Sequence, residues 1–148
     1  MESSHVAGRE KLISALACGI EERREVLSAY LFGSMATGHA RPGSDVDVAV
    51  RLVDGLSPED RFRIRLELME SMERRIGRAV DVIILNDAAL VLVNQVFSKG
   101  VAIFVRDPCA EEMFMVLKQK EFFDFRYYLD RDFRQMGDYF GGNGHGGK

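Results

Sequence analysis

Leu31-Phe32-Gly33-Ser34-Met35-Ala36-Thr37-Gly38-His39-Ala40-Arg41-Pro42-Gly43-Ser44-Asp45-Val46-Asp47-Val48-Ala49-Val50 contains two strands joined by a turn, a short helix and a loop. Val26, Ala29, Tyr30, Leu31 and Phe32 form an apolar strand that stops at Gly33. Ser34 is placed to cap a short helix over Met35 to Gly38 by accepting backbone N–H bonds. Arg41-Pro42-Gly43-Ser44 is loop chemistry. From Asp45 to Leu52 a polar or small residue alternates with an apolar one, the period of two that marks a strand. Asp45, Asp47 and Ala49 fall on one face; Val46, Val48 and Val50 fall on the other, which is the expected core face.

Elements on either side extend this pattern. Met1 to Gly8 reads as a frayed lead-in, followed by a helix from Arg9 to Glu22 with Leu12, Ile13, Leu16 and Ile20 at helical spacing. Asp54-Gly55 turns the chain. Ser57-Pro58 starts a long helix to Ile76, since proline is tolerated at the first helical position. Phe62, Leu66, Met69 and Met72 are its expected buried face, and Gly77 ends it. Val80 to Leu85 is a third strand. Asn86-Asp87 is read as the cap of a helix through Ala88, Leu92, Val96 and Phe97 that stops near Gly100, and Val101 to Val105 as the last strand. Cys109 to Phe140 reads as one long helix or two in series. Four strands with interspersed helices give a small α/β sheet covered by helices. The reading is one domain over residues 1–140, with 109–140 as a C-terminal helical segment and 141–148 as a glycine-rich tail unable to bury enough surface to order itself.

Composition narrows the function. The chain has 148 residues, 47% hydrophobic and 29% charged, which suits a compact soluble core. No apolar run approaches the roughly 18 residues of a membrane span, and the N-terminus lacks the apolar stretch of a signal peptide. A cytoplasmic protein with no membrane partner is expected. The net charge of −3 argues against a large nucleic-acid footprint, so no direct nucleic-acid binding is expected. Cys18 and Cys109 fit no metal spacing and are expected to be reduced, packed thiols.

Asp45 and Asp47 carry the chemical signal. Two residues apart on a strand, they point the same way, roughly 7 Å apart. Ionised carboxylates that close repel unless one takes a proton or a cation sits between them. A hard divalent ion with oxygen ligands, Mg²⁺ above all, satisfies such a pair and leaves room for phosphates; two such ions clamp both oxygens of an in-line displacement. Asp81, in the hydrophobic strand Val80 to Leu85, is the third candidate ligand, because a charge in such a strand needs a partner or a metal. Pairing of Asp81 with Arg78 or Arg75 is the structural alternative, and Asp87 reads better as a helix cap than as a ligand. Gly33 permits close approach of backbone to a ligand, and the Ser34 hydroxyl can donate to a phosphate oxygen. Thr37, Arg41 and Ser44 lie in the connecting loop; Arg41 and Ser44 are candidate phosphate contacts, while His39 reads as a solvated loop histidine.

The Gly33-Ser34 pair, ten intervening residues, Asp45-Val46-Asp47 and the later Asp81 resemble the MNT (minimal nucleotidyltransferase) family. The resemblance, with its strand-helix pattern, covers residues 9–106 and implies a nucleotidyltransferase fold, a small mixed β-sheet flanked by helices (α/β, or α+β). It implies transfer of a nucleoside monophosphate from a triphosphate to a hydroxyl with Mg²⁺, Gly33 and Ser34 gripping the triphosphate and Asp45, Asp47 and Asp81 holding metal. Glu121-Phe122-Phe123-Asp124-Phe125-Arg126-Tyr127-Tyr128 is similar to the tail of MntA-type antitoxins. That implies ATP as substrate and a HEPN-domain RNase toxin as partner, silenced by adenylylation of a tyrosine. Phe114, Leu117, Phe122, Phe125 and Leu129 are expected to pack this helix on the sheet, leaving Phe123, Tyr127 and Tyr128 for a partner.

Two other readings stay open. A small hydroxylated acceptor such as an aminoglycoside keeps the enzyme class, although such enzymes usually carry a further helical domain. A non-catalytic antitoxin acting by occlusion changes the class. Base specificity, the number of nucleotides added, and homo- or hetero-oligomeric state are not legible.

Overall fold

The period-two stretch that follows Asp45 becomes the second strand of a four-stranded mixed sheet. The computed structural model describes residues 2–38 and 43–145, with side chains over 8–38 and 43–137. In chain order the elements are α1 (Glu2–Ile20), β1 (Val26–Phe32), α2 (Ser34–Thr37), β2 (Val46–Leu52), α3 (Pro58–Ile76), β3 (Val80–Ile84), a 3-10 turn (Leu85–Asp87), α4 (Leu90–Lys99), β4 (Val101–Val105) and α5 (Pro108–His145). The sheet order is β3-β2-β1-β4. β1 runs antiparallel to β2 and β4, and β2 runs parallel to β3.

Alternation sends the two faces of the sheet to different layers. Val46, Val48 and Val50 of β2 join Ala29 and Leu31 of β1 and Val80 and Val82 of β3 in a core closed by α1 and α3. Tyr30, Ala49, Leu85, Val93 and Val96 form the smaller core on the opposite face, under α4. Asp47 and Arg51 share that second face with Ala49, because residues two apart on a strand point the same way.

Several local readings are corrected. α1 begins at Glu2, so the expected frayed lead-in is helical. In α3, Ser57 accepts a hydrogen bond from the Asp60 amide and Gly77 closes the end at φ 68°, as the cap residues indicate. Its buried stripe, however, is Ile64, Leu68 and Met72, with Phe62 and Leu66 exposed. Asn86-Asp87 caps no helix. The Asn86 amide accepts from Leu52 N–H and donates to Leu52 C=O, both at 2.9 Å, closing the end of β2 where its ladder runs out. Asp87 pairs with Arg61 at 2.8 Å. Cys18 and Cys109 are free but exposed, not packed.

The long C-terminal segment is one helix, and it continues through Gly141 to His145, so the expected unordered tail is helical to that point. Only its root meets the sheet. Glu111 is buried, whereas Leu117, Phe125 and Leu129, expected to pack inward, are exposed together with Phe123, Tyr127, Tyr128 and Phe133. Among the described residues, no helix is long and apolar enough to cross a membrane.

Candidate active site

Gly33 ends β1 and caps α2 at φ 71°, ψ −151°, a conformation essentially reserved for glycine. The space around it is as restrictive as the backbone. A Cβ at this position would lie 2.5 Å from Asp47 Oδ2. The strand-to-helix turn is therefore folded directly against the carboxylate of the neighbouring strand. The Gly33 carbonyl accepts from the Ala36 and Thr37 amides, and the Thr37 hydroxyl reaches it at 3.3 Å. Ser34 is the first residue of α2, and no side chain caps that helix; the expected Ser34 cap is replaced by the Gly33 backbone turn.

Sheet register brings the second and third features to the same place. Asp47 pairs across the antiparallel ladder with Phe32, next to Gly33, and across the parallel ladder with Asp81. Asp45 is exposed and lies just ahead of β2. Asp47 is half-buried, and its carboxyl is pushed above the ordinary range, first by desolvation and then by the negative charges of Asp81 and Asp45. Asp47 thus feels both of the other candidate ligands, in the direction that a bound cation would reverse.

Asp81 is exposed on the edge strand, where Arg65 of α3 approaches it at 3.4 Å. The same guanidinium donates to Val82 C=O at 2.5 Å, covering part of the strand edge. Asp81 is therefore ion-paired, but with Arg65, and the expected alternative partners Arg78 and Arg75 are not the ones that meet it. Arg78 instead donates to Ser44 C=O at 2.6 Å and touches Met35 Sδ at 3.9 Å. Arg65 and Arg78 carry no sequence signal that separates them from other surface arginines. Arg41 lies outside the described residues.

As a donor set, three carboxylates at one end of the sheet beside a glycine cradle fit hard divalent cations. Among the described residues, no three His, Cys, Asp or Glu side chains are gathered closely enough to hold an ion as they stand. Of the three, Asp81 is the one held in an ion pair, by Arg65. A cleft of about 370 Å³ opens on the outer side of β3 between α3 and α4, with Arg61, Phe62, Arg65, Ile83 and Leu92 in its walls.

Gly33→Ala tests the cradle. It is expected to destabilise the fold by about 1–3 kcal/mol through backbone strain alone, with the Asp47 contact added. Gly38 has φ 79° but open space around its missing Cβ, so Gly38→Ala is expected to lose only about 1–2 kcal/mol. Urea unfolding of the two variants measures the difference, and equal losses would contradict a tight Gly33–Asp47 contact.

A glycine turn against paired strand carboxylates, on a mixed sheet between two helical layers, defines the nucleotidyltransferase class. The chain belongs to the polymerase beta nucleotidyltransferase family, whose model matches residues 14–109. Among solved structures, a chain from a toxin–antitoxin complex with AMP-PNP is 24% identical, with 86% of this chain and 97% of that one covered and a TM-score of 0.66. A chain from the tri-AMPylated Shewanella oneidensis HEPN toxin in complex with MNT antitoxin is 22% identical, covering 89% and 98%, with a TM-score of 0.61. A chain from an MntA–HepT toxin–antitoxin complex is 23% identical, covering 86% and 95%, with a TM-score of 0.60. At these identities the likeness is one of fold. No curated protein sequence matches the chain.

Proposed function

We propose that this nucleotidyltransferase transfers AMP from ATP to a tyrosine hydroxyl of a HEPN RNase toxin in the cytoplasm, silencing it. The observation that carries the reading is the packing of the Gly33 turn on Asp47, with Asp81 in register beside it and Asp45 two residues ahead. The solved structures of like fold support the nucleotide and the partner, since they include a complex with AMP-PNP and a complex with an AMPylated HEPN toxin.

Asp45, Asp47 and Asp81 would hold Mg²⁺, in one or two ions, and the metal would supply charge neutralisation at the α-phosphate and a more acidic acceptor hydroxyl. Gly33 lets the triphosphate approach the backbone, and Ser34 and Ser44 would donate to its oxygens, with Arg41, which lies outside the described residues, as a further candidate contact. The acceptor oxygen attacks the α-phosphorus as the bond to pyrophosphate breaks, and its proton passes to Asp81 or to water. In-line displacement puts the acceptor opposite the leaving pyrophosphate. Positioning and electrostatics supply most of the acceleration.

The outer half of α5, with Phe123, Tyr127, Tyr128 and Phe133 exposed, is the surface assigned to the partner, since aromatics are enriched at interfaces. The same surface favours a second reading, neutralisation by occlusion alone. Intact-mass measurement of the toxin after co-expression decides between them. Added AMP supports transfer; a stable complex with an unmodified toxin supports occlusion.

A further inference from the structure

Asp45 lies outside the β-ladder, so strand pairing alone does not fix it. Two cross-links hold its neighbours. On one side, Arg78 Nη2 donates to the Ser44 carbonyl at 2.6 Å. On the other, the Val46 amide donates to the Ala79 carbonyl at 3.0 Å. Asp45 is therefore bracketed between bonds to two consecutive residues at the entrance of β3, just before Asp81. The same Arg78 nitrogen touches Met35 Sδ at 3.9 Å, and Met35 follows Ser34 in α2.

One half-buried guanidinium thus meets all three segments that build the site: α2 after the glycine turn, the residue before Asp45, and the start of the strand carrying Asp81. Its bond to Ser44 is charge-assisted and short, of the stronger kind. We infer that Arg78 is a positioning residue that fixes Asp45 relative to Asp81 and α2, and so sets the affinity of the site for a divalent cation. The inference deepens the nucleotidyl-transfer reading and rests on it for the cation, although its structural half stands independently. Arg78 acts through the backbone of Ser44 and makes no contact with substrate in this account.

Two measurements on the whole protein test it, using Arg78→Ala and Arg78→Lys. The first is hydrogen–deuterium exchange without any ligand. Arg78→Ala is expected to speed exchange at Asp45 and Val46 while β1, β4 and α4 keep wild-type protection. Arg78→Lys should largely restore protection, because an ammonium also donates to the Ser44 carbonyl. Unchanged exchange at Val46, or faster exchange spread across the whole sheet, overturns the inference.

The second is a Mg²⁺ titration of the binding of a fluorescent, non-hydrolysable ATP analogue. The half-saturating Mg²⁺ concentration is expected to rise about tenfold in Arg78→Ala and to return towards wild type in Arg78→Lys. A lowered Tm with the Mg²⁺ midpoint unmoved means a merely structural role and overturns it. Failure of wild type to bind the analogue at any Mg²⁺ concentration refutes the nucleotidyl-transfer reading instead, and the exchange experiment still decides whether Arg78 holds Asp45.

Discussion

Asp45→Asn combined with Asp47→Asn is expected to reduce transfer of radiolabelled AMP to the partner by a thousandfold or more, with the fold intact. A metal clamp on a transferring phosphoryl group contributes several kcal/mol to the transition state, and each ~1.4 kcal/mol is tenfold in rate. Asparagine keeps the volume and loses the charge that holds the cation. Asp45 is exposed and Asp47 half-buried, so the core loses nothing. Stability should move the other way. The carboxyl of Asp47 is raised by desolvation and by repulsion from Asp81 and Asp45. A carboxyl raised in the folded state favours folding when protonated, and that advantage disappears as pH rises through its folded value. At neutral pH, without metal, charged Asp47 is therefore a burden, and Asp47→Asn is expected to raise Tm slightly. Undiminished labelling by the double variant would sink the mechanism. A lower Tm for Asp47→Asn without metal would show that the three charges do not repel as described.

The candidate site is legible where chemistry is local in sequence. Gly33 before a short helix and Asp47 on a strand follow from turn propensity and from the period of two, although the strand begins at Val46 and leaves Asp45 just ahead of it. The strand of Asp81 was legible from its Val-Ile run, but its register was not. That Asp81 stands beside Asp47 depends on how α3 returns the chain to a parallel partner, and no residue in the sequence encodes the offset by itself. The bond from Arg78 to Ser44, which brackets Asp45, spans loops far apart in sequence and is equally silent there.

The errors share one physical cause: long-range packing overrules local pattern. In α3, Phe62, Ile64, Leu66, Leu68, Met69 and Met72 offer two overlapping apolar stripes. Contact with the sheet selects Ile64, Leu68 and Met72 and leaves Phe62 in the wall of the cleft. Asn86 has the side chain of a helix cap, but the end of β2 lies within reach and takes both ends of its amide. In α5 the aromatic spacing suits burial, yet only the root of the helix has a sheet beneath it. Phe123, Tyr127 and Phe133 are left exposed, the surface that the proposed function assigns to a partner.

Glu111 is the residue that sequence reading passed over and whose loss is expected to unfold the chain most readily. It is a single acid near the start of α5, with no neighbour in sequence to announce a role. In the fold its Oε2 accepts from Arg51 Nε at 2.8 Å and Nη2 at 2.5 Å, and its Oε1 accepts from the Ser28 and Tyr30 hydroxyls at 2.6 Å each. Side-chain exposure is 11% for Arg51 and 3% for Glu111. Phe114 stacks on the Arg51 guanidinium at 4.7 Å and excludes water from the pair. Glu111→Ala leaves a buried guanidinium and two hydroxyls without their acceptor. Removing one partner of a buried ion pair costs about 3–5 kcal/mol, which for a chain of this size corresponds to roughly ten degrees in Tm. Glu111→Gln retains one acceptor and should lose less, while Glu112→Ala, at an exposed neighbour, should lose nothing measurable. The network has an alkaline limit as well. Burial, then the Glu111 carboxylate, holds the Tyr30 hydroxyl above its ordinary value of 10.0. Its contribution to stability is complete below that value and is lost as pH rises beyond it, so Tm should fall more steeply above about pH 10 in wild type than in Tyr30→Phe. Because the same four side chains join the root of α5 to the strands carrying Gly33 and Asp47, Glu111→Ala is expected to loosen partner docking and nucleotide binding together. Calorimetry showing a loss below about 1 kcal/mol for Glu111→Ala would mean that α5 is anchored elsewhere.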